Sequence, residues 1–324
     1  MSTAASQPAP RSRARSSGAP MRCLSGIAYS TGVERPIEAL VDAGVGAPTV
    51  AALRDRGLAV YREEARSVRA MCAATLDRSF SDSAVAPGCI DAVIFANSGP
   101  WTPQDECDLF LALASCGVKA SLILGLGLQS CSSCSAAIQL ASTLVREERR
   151  HVLVMLLGRV PAGGSRLGLQ GSTVFSDGAA SCLVSAGDGD LEIVSSEVYT
   201  DMELARRIGE GQDYYTGTTG TVGQLRRLCT RVLKAAGIGR ESIRMVFGTN
   251  GSAVYFALAS DATDLPRERI YDADLSRFGH VHGCDSLIGL RNYLDDGHAA
   301  CAGDCFMLIG WSAYVFGITI LRRR

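Results

Sequence analysis

The sequence carries almost no net charge: 32 Lys and Arg face 33 Asp and Glu, for a formal charge of -1 at pH 7. It therefore lacks the basic field on which nucleic-acid binding rests. It also lacks the apolar core of a secretory signal, because residues 1–20 are dominated by Ser, Ala, Pro and Arg. That segment reads as a disordered tail before Met21. Without a secretory signal, the twelve scattered cysteines read as reduced thiols of a cytoplasmic protein. Membrane-spanning length is approached once, from Cys305 to Leu321. Gly310, Ser312, Gly317 and Thr319 interrupt that run, which suits two strands and a tight turn better than a spanning helix. Gly125-Leu-Gly127 lacks the third glycine of a dinucleotide fingerprint. His280, His282, Cys284, Cys301 and Cys305 lack the spacing of any standard zinc set, so no metal is expected.

What is present is a large apolar fraction, 47%, and 35 glycines, the composition of a compact α/β protein with many tight turns. The first part alternates strand and helix. Met21 to Tyr29 reads as a strand, Ile37 to Ala52 and Ala59 to Asp77 as helices, and Ile90 to Ala96 as a strand. Gln104 to Cys116 reads as an amphipathic helix and His151 to Leu157 as a strand. Arg159 to Ser172 is a glycine-rich loop, and a tight turn at Asp177-Gly178 enters another strand. The second part repeats this outline. Leu191 to Val198 and Ile243 to Gly248 read as strands, Tyr214 to Gly223 as a loop, Val222 to Ala236 and Ser286 to Asp295 as helices. One plan used twice suggests an internal duplication, with halves at 21–185 and 186–324.

Cys131 stands out by position. An apolar strand, Ala120 to Leu128, breaks at Gln129-Ser130, and a helix of small residues follows. A sulfur at such a corner meets backbone N–H groups and the positive end of the helix dipole, both of which favour thiolate. Cys131 is thus a candidate nucleophile. Two other readings stand beside it: a small buried residue at a turn, and a dithiol redox pair formed by Cys131-Ser-Ser-Cys134.

Four stretches together resemble the thiolase superfamily, and within it the ketoacyl-acyl-carrier-protein synthase III enzymes and their acyltransferase relatives. They are the strand Ile90 to Ala96, the corner Cys131-Ser-Ser-Cys-Ser-Ala-Ala137, the turn Phe175-Ser-Asp-Gly-Ala-Ala-Ser-Cys182 and the ending Gly310-Trp-Ser-Ala-Tyr-Val-Phe-Gly317. They occur in the family's order over residues 21–324. The resemblance implies a five-layer α-β-α-β-α fold with duplicated halves, a dimer, and Cys131 rather than Cys134 as nucleophile, since Ala137 keeps register with Cys131. It also calls for a His and an Asn beside the thiolate, in motifs that usually read Pro-His-Gln-Ala-Asn and Gly-Asn-Thr-Ser. Here these positions hold Asn250, in Gly248-Thr-Asn-Gly-Ser, and His280, in Gly279-His-Val-His. The same side chains are present in exchanged places.

The resemblance implies an acyl-Cys131 intermediate whose oxyanion is held by the N–H groups of Cys131 and Ser312. His280 in its exchanged place suits removal of a proton from an acceptor, with Asn250 as an amide donor. Asp285 can orient a histidine or cap the helix it begins. His282 would share a face with His280 on a strand, while on a loop nothing follows. Arg226, Arg227, Arg231 and Lys234 recur at helical spacing, either as a docking face for an acidic carrier protein or as a solvated helix face. The Trp and Arg that hold adenine in the family's coenzyme A users have no clear counterpart, which favours a carrier-bound donor. The expected activity is acyl transfer in secondary metabolism from a 4'-phosphopantetheine thioester, on acyl carrier protein or acyl-CoA, to a small-molecule acceptor. No cofactor is expected. Decarboxylative condensation with malonyl carrier protein and an inactive partner subunit of a heterodimer are the alternatives.

Overall fold

The computed structural model describes residues 21–168, 171–210, 214–298 and 300–324, with side chains of 214–219 left aside. The amino-terminal tail and part of the loop ending at Ser172 lie outside the described residues. In chain order the elements begin with β1 (Arg22–Thr31), β2 (Val33–Pro36), α1 (Ala39–Asp42), α2 (Ala47–Asp55), β3 (Val60–Glu63) and α3 (Val68–Ser81). Next come β4 (Ala92–Asn97), α4 (Pro103–Ser115), β5 (Leu122–Leu126), α5 (Ser133–Leu144), β6 (His151–Gly158), β7 (Leu167–Gly168), β8 (Thr173–Val174) and β9 (Gly178–Ala186). The remainder is β10 (Leu191–Thr200), α6 (Met202–Gly209), α7 (Tyr214–Ala236), β11 (Ile243–Phe247), α8 (Ala253–Thr263), β12 (Ile270–Tyr271), α9 (Leu275–Phe278), α10 (Asp285–Asp295), β13 (Cys305–Trp311) and β14 (Val315–Arg323).

Ten strands run in the order β12-β11-β13-β14-β10-β1-β9-β6-β4-β5. Within the sheet, the two sides join where β1 pairs with β10, at Cys23↔Glu192 and Leu24↔Leu191. Outward from that join, each side repeats one pattern: two antiparallel neighbours, then two parallel ones. Strands β4, β6, β9, β13 and β14 are apolar and buried almost throughout. Strands covered by layers on both faces read as such continuous apolar runs. The covering layers are α3 and α4 on one outside, α7 and α8 on the other, and α5 with α10 between the two sides. This is the expected five-layer fold.

The middle layer explains the small residues after Cys131. Helix α5 presents buried Ser133, Cys134, Ser135, Ala136 and Ala137, and a Cβ on Gly317 would stand 2.8 Å from the Ser135 Cβ. Only short side chains let a helix sit this close to a sheet. Cys305 to Leu321 forms the β13–β14 hairpin, and no helix among the described residues is long and apolar enough to cross a membrane.

Three segments differ from the sequence reading. The helix read over Ile37 to Ala52 is two helices, α1 and α2, parted by a turn over 43–46 in which Gly44 has φ 87°. The helix read over Ala59 to Asp77 is a strand followed by a helix. Val60–Glu63 pairs antiparallel with Val33–Pro36, the N–H groups of Arg62 and Glu64 go to the Ser176 Oγ and Asp177 Oδ2, and Ser67 caps the later helix by accepting from Ala70 N–H. Long-range partners thus outweigh local helical spacing there. The glycine-rich stretch read as a loop from Tyr214 is instead the start of α7. Leu225, Leu228, Cys229, Val232 and Leu233 bury the rest of that helix, and once a helix is nucleated each added residue costs little.

Candidate active site

The chain leaves β5 and turns through two non-glycine residues with left-handed backbone, Leu128 (φ 64°) and Ser130 (φ 45°). Such conformations cost of order 1 kcal/mol each and persist only where the surroundings impose them. A short 3₁₀ turn over Ser130–Ser132 then feeds α5. Cys131 lies on this turn, half-buried, and its N–H is a first-turn amide with no acceptor inside the helix. The corner is fastened to the far side of the molecule. The buried Ser132 Oγ donates to the carbonyl of Gly310 or Val315, at 2.9 and 3.1 Å, and Gly310 approaches so closely that a Cβ there would stand 2.0 Å from the Cys131 carbonyl oxygen.

His280 comes from the other side. It follows Gly279, whose φ of 64° suits glycine. Its backbone is held by the segment that precedes β9: the His280 N–H donates to the Val174 carbonyl at 3.0 Å, and the Ser176 N–H donates to the His280 carbonyl at 2.8 Å. The Ser176 Oγ donates to the Phe278 carbonyl at 2.5 Å. Gly178 completes the fit, because a Cβ there would stand 2.6 Å from the Val281 Cγ1. Asp177 is structural. Its carboxylate accepts from the Val160 and Glu64 N–H groups and from the Arg166 guanidinium at 2.8 to 2.9 Å.

The His280 Nε2 is 3.3 Å from the Cys131 Sγ, and its Nδ1 is 2.6 Å from the Asp285 Oδ2. Asp285 does not cap α10, whose N-cap residue is Cys284. Its carboxylate turns back instead, accepting also from the Val281 N–H at 2.7 Å and the Asn250 N–H at 2.6 Å. Cys131 lies on the turn that leads into α5, Asp285 is the first residue of α10, and His280 sits in the segment between α9 and α10. Burial pulls the His280 imidazole down, but the charge of Asp285 and then that of Cys131 outweigh it, and the group is raised to about 10. Cys134, one helical turn on, is enclosed by the core, and burial pushes its thiol up to about 12. That environment does not suit a reactive partner of a redox pair. Among the described residues no cluster suited to a metal ion occurs.

The other candidates are placed as follows. Asn250 reaches the line through its backbone, while its Nδ2 donates to the Gly279 carbonyl at 2.7 Å. The Ser312 N–H, expected to face the oxyanion, is donated to the Val315 carbonyl at 2.8 Å; the hairpin pairing simply continues one residue past Trp311. His282 lies on a turn, not a strand, with its ring centre 5.5 Å from that of His280. Arg226, Arg227, Arg231 and Lys234 lie on α7 in an outer layer. Arg231 is drawn inward to Glu197 at 2.6 Å and over the Tyr199 ring, while Arg226, Arg227 and Lys234 are exposed. Ser132 and Ser176 carried no signal in the sequence, since their roles depend on partners more than a hundred residues away.

No protein-family model matches the sequence, and no curated protein does. Solved structures do match. ChlB3, described as an acyltransferase, superposes with a TM-score of 0.83 at 15% identity, over 94% of this chain and 98% of that one. The priming β-ketosynthase of the R1128 polyketide biosynthetic pathway gives 0.77 at 15%, over 96% and 98%. The 3-oxoacyl-[acyl-carrier-protein] synthase III of Aquifex aeolicus VF5 gives 0.74 at 16%, over 93% and 99%. These likenesses extend over nearly the whole of each chain and establish the fold.

Proposed function

We propose that this chain, with the fold of the 3-oxoacyl-acyl-carrier-protein synthase III structures, is an acyltransferase of that condensing-enzyme family. It takes an acyl group from a phosphopantetheine thioester, on acyl carrier protein or coenzyme A, and passes it through acyl-Cys131 to a small acceptor of secondary metabolism. The observation that carries this reading is the line Cys131–His280–Asp285, with contacts of 3.3 and 2.6 Å. An imidazole backed by a carboxylate is built to move protons. Decarboxylative condensation asks instead for a pair of donors converging on an enolate oxygen, and the Asn250 amide is turned to the Gly279 carbonyl.

Cys131, as thiolate beside protonated His280, attacks the thioester carbon. The oxyanion meets the Cys131 N–H, and His280 gives its proton to the departing pantetheine thiol. Now neutral, His280 takes the proton of the acceptor as it attacks the acyl carbon. Collapse expels the Cys131 thiolate and restores the ion pair. Arg226, Arg227 and Lys234 are the proposed contacts for an acidic carrier, without Arg231. Twelve free cysteines suit a reducing cytoplasm.

Intact-mass measurement after incubation with an acyl N-acetylcysteamine thioester tests the reading. The expected result is a mass gain of one acyl group, absent in Cys131→Ala and retained in Cys134→Ala. A gain that survives Cys131→Ala, or its absence in the wild type, removes the proposal; the latter outcome would favour the inactive-partner alternative. Carbon dioxide release from malonyl carrier protein would favour condensation.

We propose further that two copies pair along the outer edge of β5. That strand ends the sheet, and its Leu-Ile-Leu-Gly-Leu sequence carries none of the charges that usually protect an edge. Phe110, Leu111, Trp101 and Leu128 are exposed. Sedimentation equilibrium is expected to return twice the 34.1 kDa chain mass; a monomer at micromolar concentration would exclude this placement.

A further inference from the structure

His282 is half-buried with its Nε2 closed to solvent, yet three observations set it apart from a packing residue. Its backbone is left-handed, with φ 54°, a conformation uncommon outside glycine and one that His adopts more readily than most, with Asn and Asp. Its ring lies flat on Phe175, centres 4.6 Å apart at 13°, in a space kept open by Gly158, where a Cβ would come within 2.8 Å of the imidazole. Its Nε2 is buried without a hydrogen-bond partner among the described residues. A buried polar atom left unpaired costs roughly 1–3 kcal/mol, and a phenyl ring would fill the same stack without that cost. Burial, then the nearby charges of His280 and Arg166, hold the ring low, at about 3, so it is a neutral imidazole at working pH.

We propose that His282 holds the nucleophilic atom of the acceptor beside His280; the assignment rests on the acyl-transfer reading above. An oxygen or nitrogen hydrogen-bonded to an imidazole nitrogen lies about 4 Å from the ring centre. Two rings 5.5 Å apart can therefore engage the same atom. In the step served, the acceptor O–H or N–H attacks the carbonyl carbon of acyl-Cys131. A C–O or C–N bond forms, the proton passes to the His280 Nε2, and the C–S bond breaks with its electron pair returning to the sulfur. His282 neither gains nor loses a proton overall. With its Nε2 protonated it donates to the second lone pair of an oxygen acceptor, and with Nε2 bare it accepts a hydrogen bond from the second O–H or N–H of water or an amine.

The test uses acetyl-N-acetylcysteamine as donor, with water and ethanolamine as acceptors, and follows acetyl-Cys131 by intact mass. In His282→Phe, acylation is expected to stay within about twofold of wild type while loss of the acetyl group slows about tenfold, the size of one hydrogen bond. His282→Asn, which tolerates the left-handed backbone and restores a polar tip, is expected to recover most of that rate. His282→Gly keeps the assignment testable if the Phe variant does not fold; added imidazole is expected to restore its deacylation. Wild-type deacylation in His282→Phe or His282→Gly overturns the proposal. So does an equal fall of acylation and deacylation in all the variants, which would make the ring a packing element. A wild type that never gains acetyl fails one step earlier and refutes the acyl-transfer reading itself.

Discussion

Asp285→Asn is expected to slow acylation of Cys131 by about 10²- to 10⁴-fold, the range for an imidazole that loses its orienting carboxylate. The substitution is nearly isosteric, and the amide oxygen in place of Oδ1 still accepts from the Val281 N–H, while the Asn250 N–H, which shares Oδ2 with His280, loses its acceptor. What changes is the atom facing the His280 Nδ1. A carboxylate oxygen 2.6 Å away requires Nδ1–H and leaves Nε2 for the sulfur. An amide NH₂ there demands a bare Nδ1 and places the neutral ring's proton on the wrong nitrogen. The pH profile should move as well, and its sign is determined. Asp285 is the foremost group raising His280 to about 10, so removing its charge lowers that value. Acylation needs a protonated His280 to release the thiol, and its alkaline limb therefore moves to lower pH. Rapid-quench mass measurement from pH 6 to 10 reads both effects. A variant with an unmoved alkaline limb would show that Asp285 does not set the charge of His280.

Gly310→Ala should be the most damaging change of a single methyl group. The added Cβ would stand 2.0 Å from the Cys131 carbonyl oxygen and 2.8 Å from its carbonyl carbon. Both are backbone atoms, so no side-chain rotation relieves the clash. Either the hairpin or the nucleophile corner must move, and the Ser132 hydrogen bonds that join them are lost with it. Overpacking of this kind costs about 1–3 kcal/mol and more where the backbone must shift. We expect a lower melting temperature and no measurable acyl-Cys131. Gly209→Ala is the control, since a Cβ there meets nothing within 4 Å, and its melting temperature should match or exceed that of wild type. Equal melting temperatures for the two variants would refute the clash.

The nucleophile corner was legible in the sequence because its causes are local: an apolar strand, a break, and a helix short of bulk. The Asp177-Gly178 turn and the closing glycines were legible as motifs, though what they do was not. Gly178 and Gly310 are needed because Val281 and Cys131 approach them across the fold, and sequence spacing holds no record of that distance. His280 and Asp285 were both visible as candidates, but helix capping competed as the role of Asp285. Only the direction of the carboxylate decides between the two. Strand β3 was missed for a related reason. Its Arg62 and Glu63 look like a solvated helix face, while the Arg62 and Glu64 N–H groups are claimed by the Ser176-Asp177 turn and Glu63 pairs with Val33.

The repeated pattern of the sheet has a chemical corollary. The thiol stands at the start of one central helix, and the imidazole with its carboxylate at the start of the other. Two identical copies of either unit would set sulfur against sulfur or ring against ring, and neither pairing can generate a nucleophile by passing a proton. The line Cys131–His280–Asp285 is therefore a heterotypic contact inside a nearly homotypic frame. The proposed chemistry depends on the likeness between the copies being incomplete at these positions.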